Sequence, residues 1–295
     1  MAREFETAAF TEERARQVLA AAGHPAPDAR LLALGENAVF ALPANGPVVR
    51  IGRSADLLDR MRGELRTAAW LEEQGVPAVR PAEPGARLVD GHPVSVWQRL
   101  PDPVRPAGAA DLAALLRLVH RLPAPPFPLP KRELLSGVER WLRSAGEAID
   151  PADAGFLRER RDRIAAAVGN LVPHLTPGPV HGDALPRNVH IRPEGPVLVD
   201  LETFSGDLRE HDLVVMALAR DRYGLDPAEY DAFTATYGWD VRTWEGCGVL
   251  RGAREIASCA WVAQHAPANP AALAEFRRRV ASLRADDPKA RWHAF

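Results

Sequence analysis

Residues 180–191 read V-H-G-D-A-L-P-R-N-V-H-I, and a few positions later residues 197–201 read V-L-V-D-L. The apolar flanks have the character of short buried strands, yet two histidines, an aspartate, an asparagine and a proline stand between them. Together the two runs form a strand–loop–strand island inside a stretch whose remaining pattern is helical. A polar cluster placed there is either a solvated hairpin turn or a reaction centre.

The rest of the chain falls into two regions. Thr11 is a good N-cap for a helix over 11–22, with early glutamates suited to the helix dipole and Gly23 to end it. Strand patterns follow at 38–42 and 48–51, joined through Pro43, Asn45, Gly46 and Pro47. Ser54 is placed to cap a helix running to Gln74, closed by Gly75. Further strands are expected at 86–89 and 93–98, with Asp90-Gly91 as the turn. From about residue 107 the pattern is helical, over 111–121, 133–148, 154–171 and after Leu213, with the proline-rich 123–130 a plain extended connection. Trp239, Trp244 and Trp261 are expected to anchor packing there. The expected division is a small antiparallel lobe over 1–100, a hinge near 97–103, and a helical lobe over 101–295 that carries the embedded hairpin.

Composition narrows the function. A chain of 295 residues with 46% hydrophobic content can bury a large core, and a formal net charge of -2 does not provide the basic excess a nucleic-acid binder needs. Cys247 and Cys259 are too few and too far apart for a disulfide framework or a structural zinc site. No stretch has the length and apolarity of a signal peptide or a membrane span, so a cytoplasmic protein is expected, with no membrane or nucleic-acid partner. Oligomeric state is not legible.

Asp183 and Asn188 are separated by four residues, and Asp200 ends an apolar strand. Phosphoryl transfer needs little more: a carboxylate to orient the attacking hydroxyl, and oxygen ligands to hold magnesium against the phosphates. H-G-D-x-x-x-x-N followed by an apolar strand and Asp resembles the aminoglycoside phosphotransferase family, relatives of the protein kinases; D-L-E-T-F-S-G-D-L-R-E-H-D-L (200–213) resembles the segment that follows in that family. The resemblance extends upstream in order and spans roughly 34–265. L-G-E-N-A-V-F (34–40) looks like the short nucleotide-phosphate loop, with Gly35 and Asn37 as candidates. Arg50 of V-V-R-I stands where kinases place a phosphate-pairing cation, and the only lysines, Lys131 and Lys289, lie elsewhere. R-G-E-L-R-T-A-A-W-L (62–71) nominates Glu64 as its carboxylate partner, and V-W-Q-R-L-P (96–101) resembles the purine-holding hinge, with Gln98 and Leu100.

The resemblance implies an α+β, two-lobed, protein-kinase-like fold with the active site between lobes. It implies a kinase moving the γ-phosphoryl group of ATP or GTP to a hydroxyl of a small molecule, with magnesium (Mg2+) held by Asn188 and Asp200. Asp183 is the expected base, Arg50 and Glu64 the phosphate pair. An aminoglycoside or other antibiotic is the leading acceptor, seated on an acidic wall of Asp207, Glu210, Glu245 and Glu255, with the terminal carboxylate of Phe295 as a further candidate contact; a sugar, amino alcohol or homoserine-like metabolite fits the same chemistry. A nucleotide-binding module without turnover is the contrasting class. Taken singly, each residue also has a plain structural reading: Arg50 as the wet face of a strand, Glu64 as a solvated helix residue, Gly35 with Asn37 as an ordinary turn. His181 and Asp212 are expected to brace the loop, and His190 and His211 to be satisfied, partly buried histidines. Leu185 adds nothing to catalysis, and the absence of a lysine after Asp183 and of an activation segment points away from protein substrates.

Overall fold

The computed structural model describes residues 10–24 and 27–293, so most of the opening stretch and Phe295 lie outside the described residues. Contacts divide the chain into two compact units, Met1–Pro106 with His190–Glu202, and Ala107–Val189 with Thr203–Phe295.

The first unit opens with α1 (Glu12–Ala21), whose N-cap Thr11 accepts a hydrogen bond from the backbone of Arg14. Five antiparallel strands follow: β1 (Arg30–Leu34), β2 (Asn37–Ala41), β3 (Val48–Gly52), and, after helix α2 (Leu58–Glu73), β4 (Arg87–Val89) and β5 (His92–Trp97). They line up in the order β1-β2-β3-β5-β4. Alternation along β3 decides what each face carries. Val49 and Ile51 join Val18 and Leu19 of α1 in one apolar cluster, which sends Arg50 to the other face, toward Glu64 of α2. β1 was not expected. Its R-L-L-A-L has no period-two alternation, because it is an edge strand with most of its residues exposed. Ser54 does not cap α2; a turn of 3-10 helix over Ala55–Leu57 intervenes, and the Ser54 hydroxyl bonds the Asp56 carboxylate instead.

The second unit contains α3 (Ala109–Val119), α4 (Val138–Ala145), α5 (Pro151–Val168) and the short strand β6 (Gly178–Val180). The chain then leaves it through β7 (Val189–Arg192) and β8 (Gly195–Leu198), a hairpin that packs with the first unit rather than within the helical one. Val79 donates to Leu198 O at 2.8 Å, Leu198 donates to Pro77 O at 2.9 Å, and Val104 donates to Ile191 O at 3.0 Å. The boundary expected at 100–101 thus differs from the contact units both in position and in where this hairpin belongs. β9 (Ser205–Asp207), pairing antiparallel with β6, returns the chain to the second unit, and α6 (Glu210–Arg222), α7 (Pro227–Tyr237), α8 (Cys247–Ala263) and α9 (Pro270–Arg284) complete it. Leu142, Leu157, Ile256, Cys259, Phe276 and Val280 from α4, α5, α8 and α9 form its main core. The expected tryptophan anchors are corrected: Trp239 and Trp244 are half-buried and Trp261 is exposed, while Trp70, Trp97 and Trp292 are buried. Trp261 sits on the outer face of α8, where the small residues Ala257, Ala260 and Ala263 turn inward. Cys247 and Cys259 are both free and buried. Among the described residues, no helix is long and apolar enough to cross a membrane.

Candidate active site

In the first unit a cavity of about 310 Å³ is walled by Arg50, Glu64, Trp97 and Asp200 together with the segment Gln98–Leu100 that leaves β5. Arg50 Nη1 lies 2.5 Å from Glu64 Oε2, and both side chains are largely withdrawn from solvent. Register supports the pair. Arg50 faces Ser95 across the β3–β5 ladder, Ser95 accepts the Trp97 indole N–H at 2.9 Å, and the Arg50 guanidinium stands 5.9 Å from the Trp97 ring centre. Burial pushes the Glu64 carboxyl above its ordinary value, and Arg50 opposes that push. Gln98 donates its backbone N–H to Arg80 O at 2.9 Å. Gly35 and Asn37 do not line the cavity: the Gly35 N–H donates to Asn37 O at 3.0 Å, closing the β1–β2 turn on itself. That donor is spent on the turn and does not point to an anion.

Asp183 stands in the second unit on the loop that follows β6. Gly182 before it has φ +86°, and a Cβ there would stand 2.3 Å from Thr203 O, so only glycine fits the turn of H-G-D. Asp212 of α6 is fully buried and clamps that turn, accepting the backbone N–H groups of His181 at 2.7 Å and Gly182 at 2.8 Å and facing His120 Nε2 at 3.0 Å. Burial resists its charge, but these donors hold its carboxyl down at about 2. His181 is also buried and its Nδ1 faces the Asp183 N–H at 3.3 Å. Asp183 Oδ2 accepts from Arg187 at 2.8 Å and from Asn188 Nδ2 at 3.1 Å. Burial works against the Asp183 charge, yet Arg187, Arg254 and Asn188 outweigh it and keep the carboxyl below its ordinary value. Such a carboxylate is a weak base. It suits a transfer in which the hydroxyl is oriented first and loses its proton late.

Two arginines that local spacing did not reveal join this loop. Arg254 of α8 donates to Gly182 O at 2.7 Å and stands 4.0 Å from Asp183 Oδ1. Arg132, from the loop before α4, lies within electrostatic reach of Asp212, Asp183 and Asp207. His211 is buried but not satisfied: its Nδ1 has no hydrogen-bond partner among the described residues, and Nε2 is 3.9 Å from Asp207. His190, in the first unit, is satisfied by Pro101 O at 2.7 Å.

The acidic wall does not form. Glu210 is wholly buried and accepts the backbone N–H groups of His174 and Leu175, each at 2.7 Å. Glu255 is buried against Arg222 at 2.8 Å, with Arg160 at 4.0 Å. Both face inward: Glu255 is paired with arginine, and Glu210 is held through Oε1 by backbone N–H groups while its Oε2 has no hydrogen-bond partner among the described residues. Glu245 is exposed, and Asp207 accepts the N–H of its neighbour Leu208 at 2.8 Å.

The expected magnesium ligands fall in different units, Asn188 in the second and Asp200 in the first. Among the described residues, no cluster of three or more His, Cys, Asp or Glu side chains is arranged to hold a metal by itself. The chemistry of each half nonetheless fits a hard cation. Asn188 spends its amide N–H on Asp183 O at 2.7 Å, which leaves Oδ1 as an oxygen ligand. Asp200 is exposed at φ +60°, and it adds to the burial that pushes Glu64 and Glu202 above their ordinary values. Glu202, unassigned from sequence, lies 3.9 Å from both Arg50 and Arg60.

Comparison with known proteins gives the chain its fold and family. No curated protein matches the chain. Among solved structures, amicoumacin kinase hAmiN is 13% identical and superposes with a TM-score of 0.65, with 89% of each chain covered. The aminoglycoside phosphotransferase APH(3'')-Id from Streptomyces rimosus is 20% identical, with a TM-score of 0.61 over 82% of this chain and 98% of that one. A choline/ethanolamine kinase family protein from Mesorhizobium loti is 17% identical, with a TM-score of 0.59 over 92% and 99%. The fold is thus the α+β, two-lobed, protein-kinase-like one. With residues 29–250 matched by the family's model, the chain belongs to the phosphotransferase enzyme family.

Proposed function

We propose that this phosphotransferase is a small-molecule kinase that moves the γ-phosphoryl group of a nucleoside triphosphate, ATP or GTP, to an acceptor hydroxyl. The observation that carries the reading is the Arg50–Glu64 pair at 2.5 Å, set in the wall of a cavity that Asp200 also lines. In this reading the nucleotide occupies that cavity, its base against the backbone of Gln98–Leu100 and its phosphates against Arg50, which Glu64 holds in place. Asp183 orients the acceptor hydroxyl and takes its proton. Magnesium, held by Asn188 and Asp200, supplies charge neutralisation at the phosphates. The protein's part is positioning and fixed electrostatics, which is most of what a loose transition state requires.

The similar structures are named for an amicoumacin kinase, an aminoglycoside phosphotransferase and a choline/ethanolamine kinase family protein, so one fold serves chemically different acceptors. Acceptor choice therefore rests on the residues around Asp183. An aminoglycoside loses its expected support, since Glu210 and Glu255 are internal. The test is a phosphoryl-transfer assay with ATP and GTP over antibiotics and hydroxylated metabolites, with Asp183→Asn as control. Acceptor-dependent release of ADP or GDP that the control lacks supports a kinase; nucleotide binding without acceptor-dependent release from any compound would favour the non-catalytic module.

A further inference from the structure

Three arginines, Arg187, Arg254 and Arg132, lie within electrostatic reach of Asp183. Asp183 is already engaged by Arg187 at 2.8 Å and by Asn188, and Asp212 accepts from His181, Gly182 and His120. These carboxylates are the groups nearest in charge to Arg132, yet among the described residues the Arg132 guanidinium makes no hydrogen bond or close ion pair, and its Nε is buried without a partner. Arg254 makes one hydrogen bond, to the neutral carbonyl Gly182 O, and a 4.0 Å ion pair with Asp183 Oδ1, while its Nε is likewise buried and unpartnered. His211, with a side chain only 4% exposed, adds a ring nitrogen with no partner beside Asp207.

Burial lowers the Arg132 guanidinium, and burial with the neighbouring Arg132 charge holds Arg254 down at about 10. Two arginines partly withdrawn from water and within reach of one another, with most of the nearby carboxylate oxygens engaged, offer guanidinium groups suited to an oxyanion. Guanidinium forks match carboxylate and phosphate geometry, and two of them repay desolvation when such a group binds. The lining of the proposed nucleotide cavity does not include them. Every residue lining the first unit's cavity belongs to that unit, where Arg50 already supplies the phosphate-pairing cation, whereas Arg132 and Arg254 stand with Asp183 in the second.

We infer that the acceptor is a small molecule whose hydroxyl is accompanied by an oxyanion, a carboxylate or a phosphate, and that Arg132 and Arg254 hold this group beside Asp183. The inference rests on the reading of Asp183 as the residue that orients the acceptor. It makes a polycationic acceptor a poor fit, because such a molecule would bring further positive charge against Arg132 and Arg254.

Inorganic sulfate is the probe. Its affinity for the full chain is measured by calorimetry, alone and with the nucleotide site saturated by magnesium and the non-hydrolysable AMP-PNP, which fills the γ-phosphate position. Sulfate should still bind when AMP-PNP is bound. Arg132→Gln should weaken sulfate binding about ten- to a hundredfold, and Arg132→Lys should recover part of the loss. The affinity of AMP-PNP is read in the same titrations, and if AMP-PNP itself does not bind, the nucleotide reading fails rather than this one. Sulfate that binds only in the absence of AMP-PNP would assign the arginines to the transferring phosphoryl group and overturn the inference. So would the absence of sulfate binding in both states, or turnover of an aminoglycoside with a KM that Arg132→Gln leaves unchanged.

Discussion

Arg50 and Glu64 meet at 2.5 Å across the face of the sheet opposite α1, with side-chain exposures of 17% and 4%. Burial makes the Glu64 charge costly and Arg50 is the main group that offsets the cost. Arg50→Ala should therefore weaken nucleotide binding and also destabilise the first unit, by about 1–3 kcal/mol at neutral pH. The sign with pH follows from the direction of the shift. A carboxyl whose folded-state value is raised contributes most when protonated, so the destabilisation should shrink as pH falls into the carboxylate range. Arg50→Lys should recover part of both losses, since the charge remains without the fork. Urea unfolding at several pH values checks the first effect; a loss that is the same at every pH would contradict it.

Asp183→Asn keeps the size of the side chain and one acceptor oxygen while removing the charge and the capacity to take a proton. Phosphoryl transfer should fall by about 10²–10⁴. The Arg50–Glu64 pair and Asp200 are untouched, so nucleotide affinity by calorimetry should be nearly unchanged. A variant that transfers at near wild-type rate would make the H-G-D loop a scaffold only.

Magnesium dependence should rank the two proposed ligands. Asp200 offers a full charge and Asn188 a dipole, so Asp200→Ala should abolish activity, while Asn188→Ala should leave a remnant that added magnesium partly restores. Asp200→Ala should leave folding intact, because it removes a charge that pushes Glu64 and Glu202 upward. Chelation should stop transfer without unfolding the chain. Equal and unrescued losses at both positions count against the ranking.

Asp212 accepts two backbone N–H groups of the loop that presents Asp183 and lies wholly out of solvent. Asp212→Asn should cost about 2–4 kcal/mol, as one acceptor is replaced by an N–H donor facing other donors. Its folded-state value of about 2 lies below the ordinary 3.8, so its contribution is present above that pH and is lost as pH falls toward 2. The comparison to make is chemical denaturation of wild type and variant at pH 7 and pH 3: a gap that does not narrow in acid would contradict this role.

His211 is held down from 6.5 to about 4, first by burial and then by Arg254. Its folded form binds a proton only near pH 4, while the unfolded chain binds one from about 6.5 downward. Stability should therefore fall across that window by up to about 1.4 kcal/mol per pH unit from this group, and His211→Gln should flatten the dependence. Unfolding free energies at pH 4.5, 5.5 and 6.5 decide it; identical slopes for the two proteins would remove His211 as the cause.

Much of this was determined by sequence alone, where the information is local. H-G-D-x-x-x-x-N and V-L-V-D announce the loop and the hairpin because spacing within a turn follows from chain geometry, and Gly182 is required there by its own φ. The Arg50–Glu64 pair was nominated by the resemblance of V-V-R-I and R-G-E-L-R-T-A-A-W-L to the family's segments, since strand alternation and helix periodicity alone left both residues with a solvated reading. What tertiary structure decided is charge balance. Glu210 and Glu255 are indistinguishable from substrate-binding carboxylates in the sequence, and only packing buries them against backbone N–H groups and Arg222. Arg132 and Arg254 lie far from Asp183 along the chain, one before α4 and one on α8, and no local pattern brings them to it. A side chain's electrostatic partner is set by which elements pack together, and that is fixed by the burial of apolar faces, which the charged residues themselves do not encode.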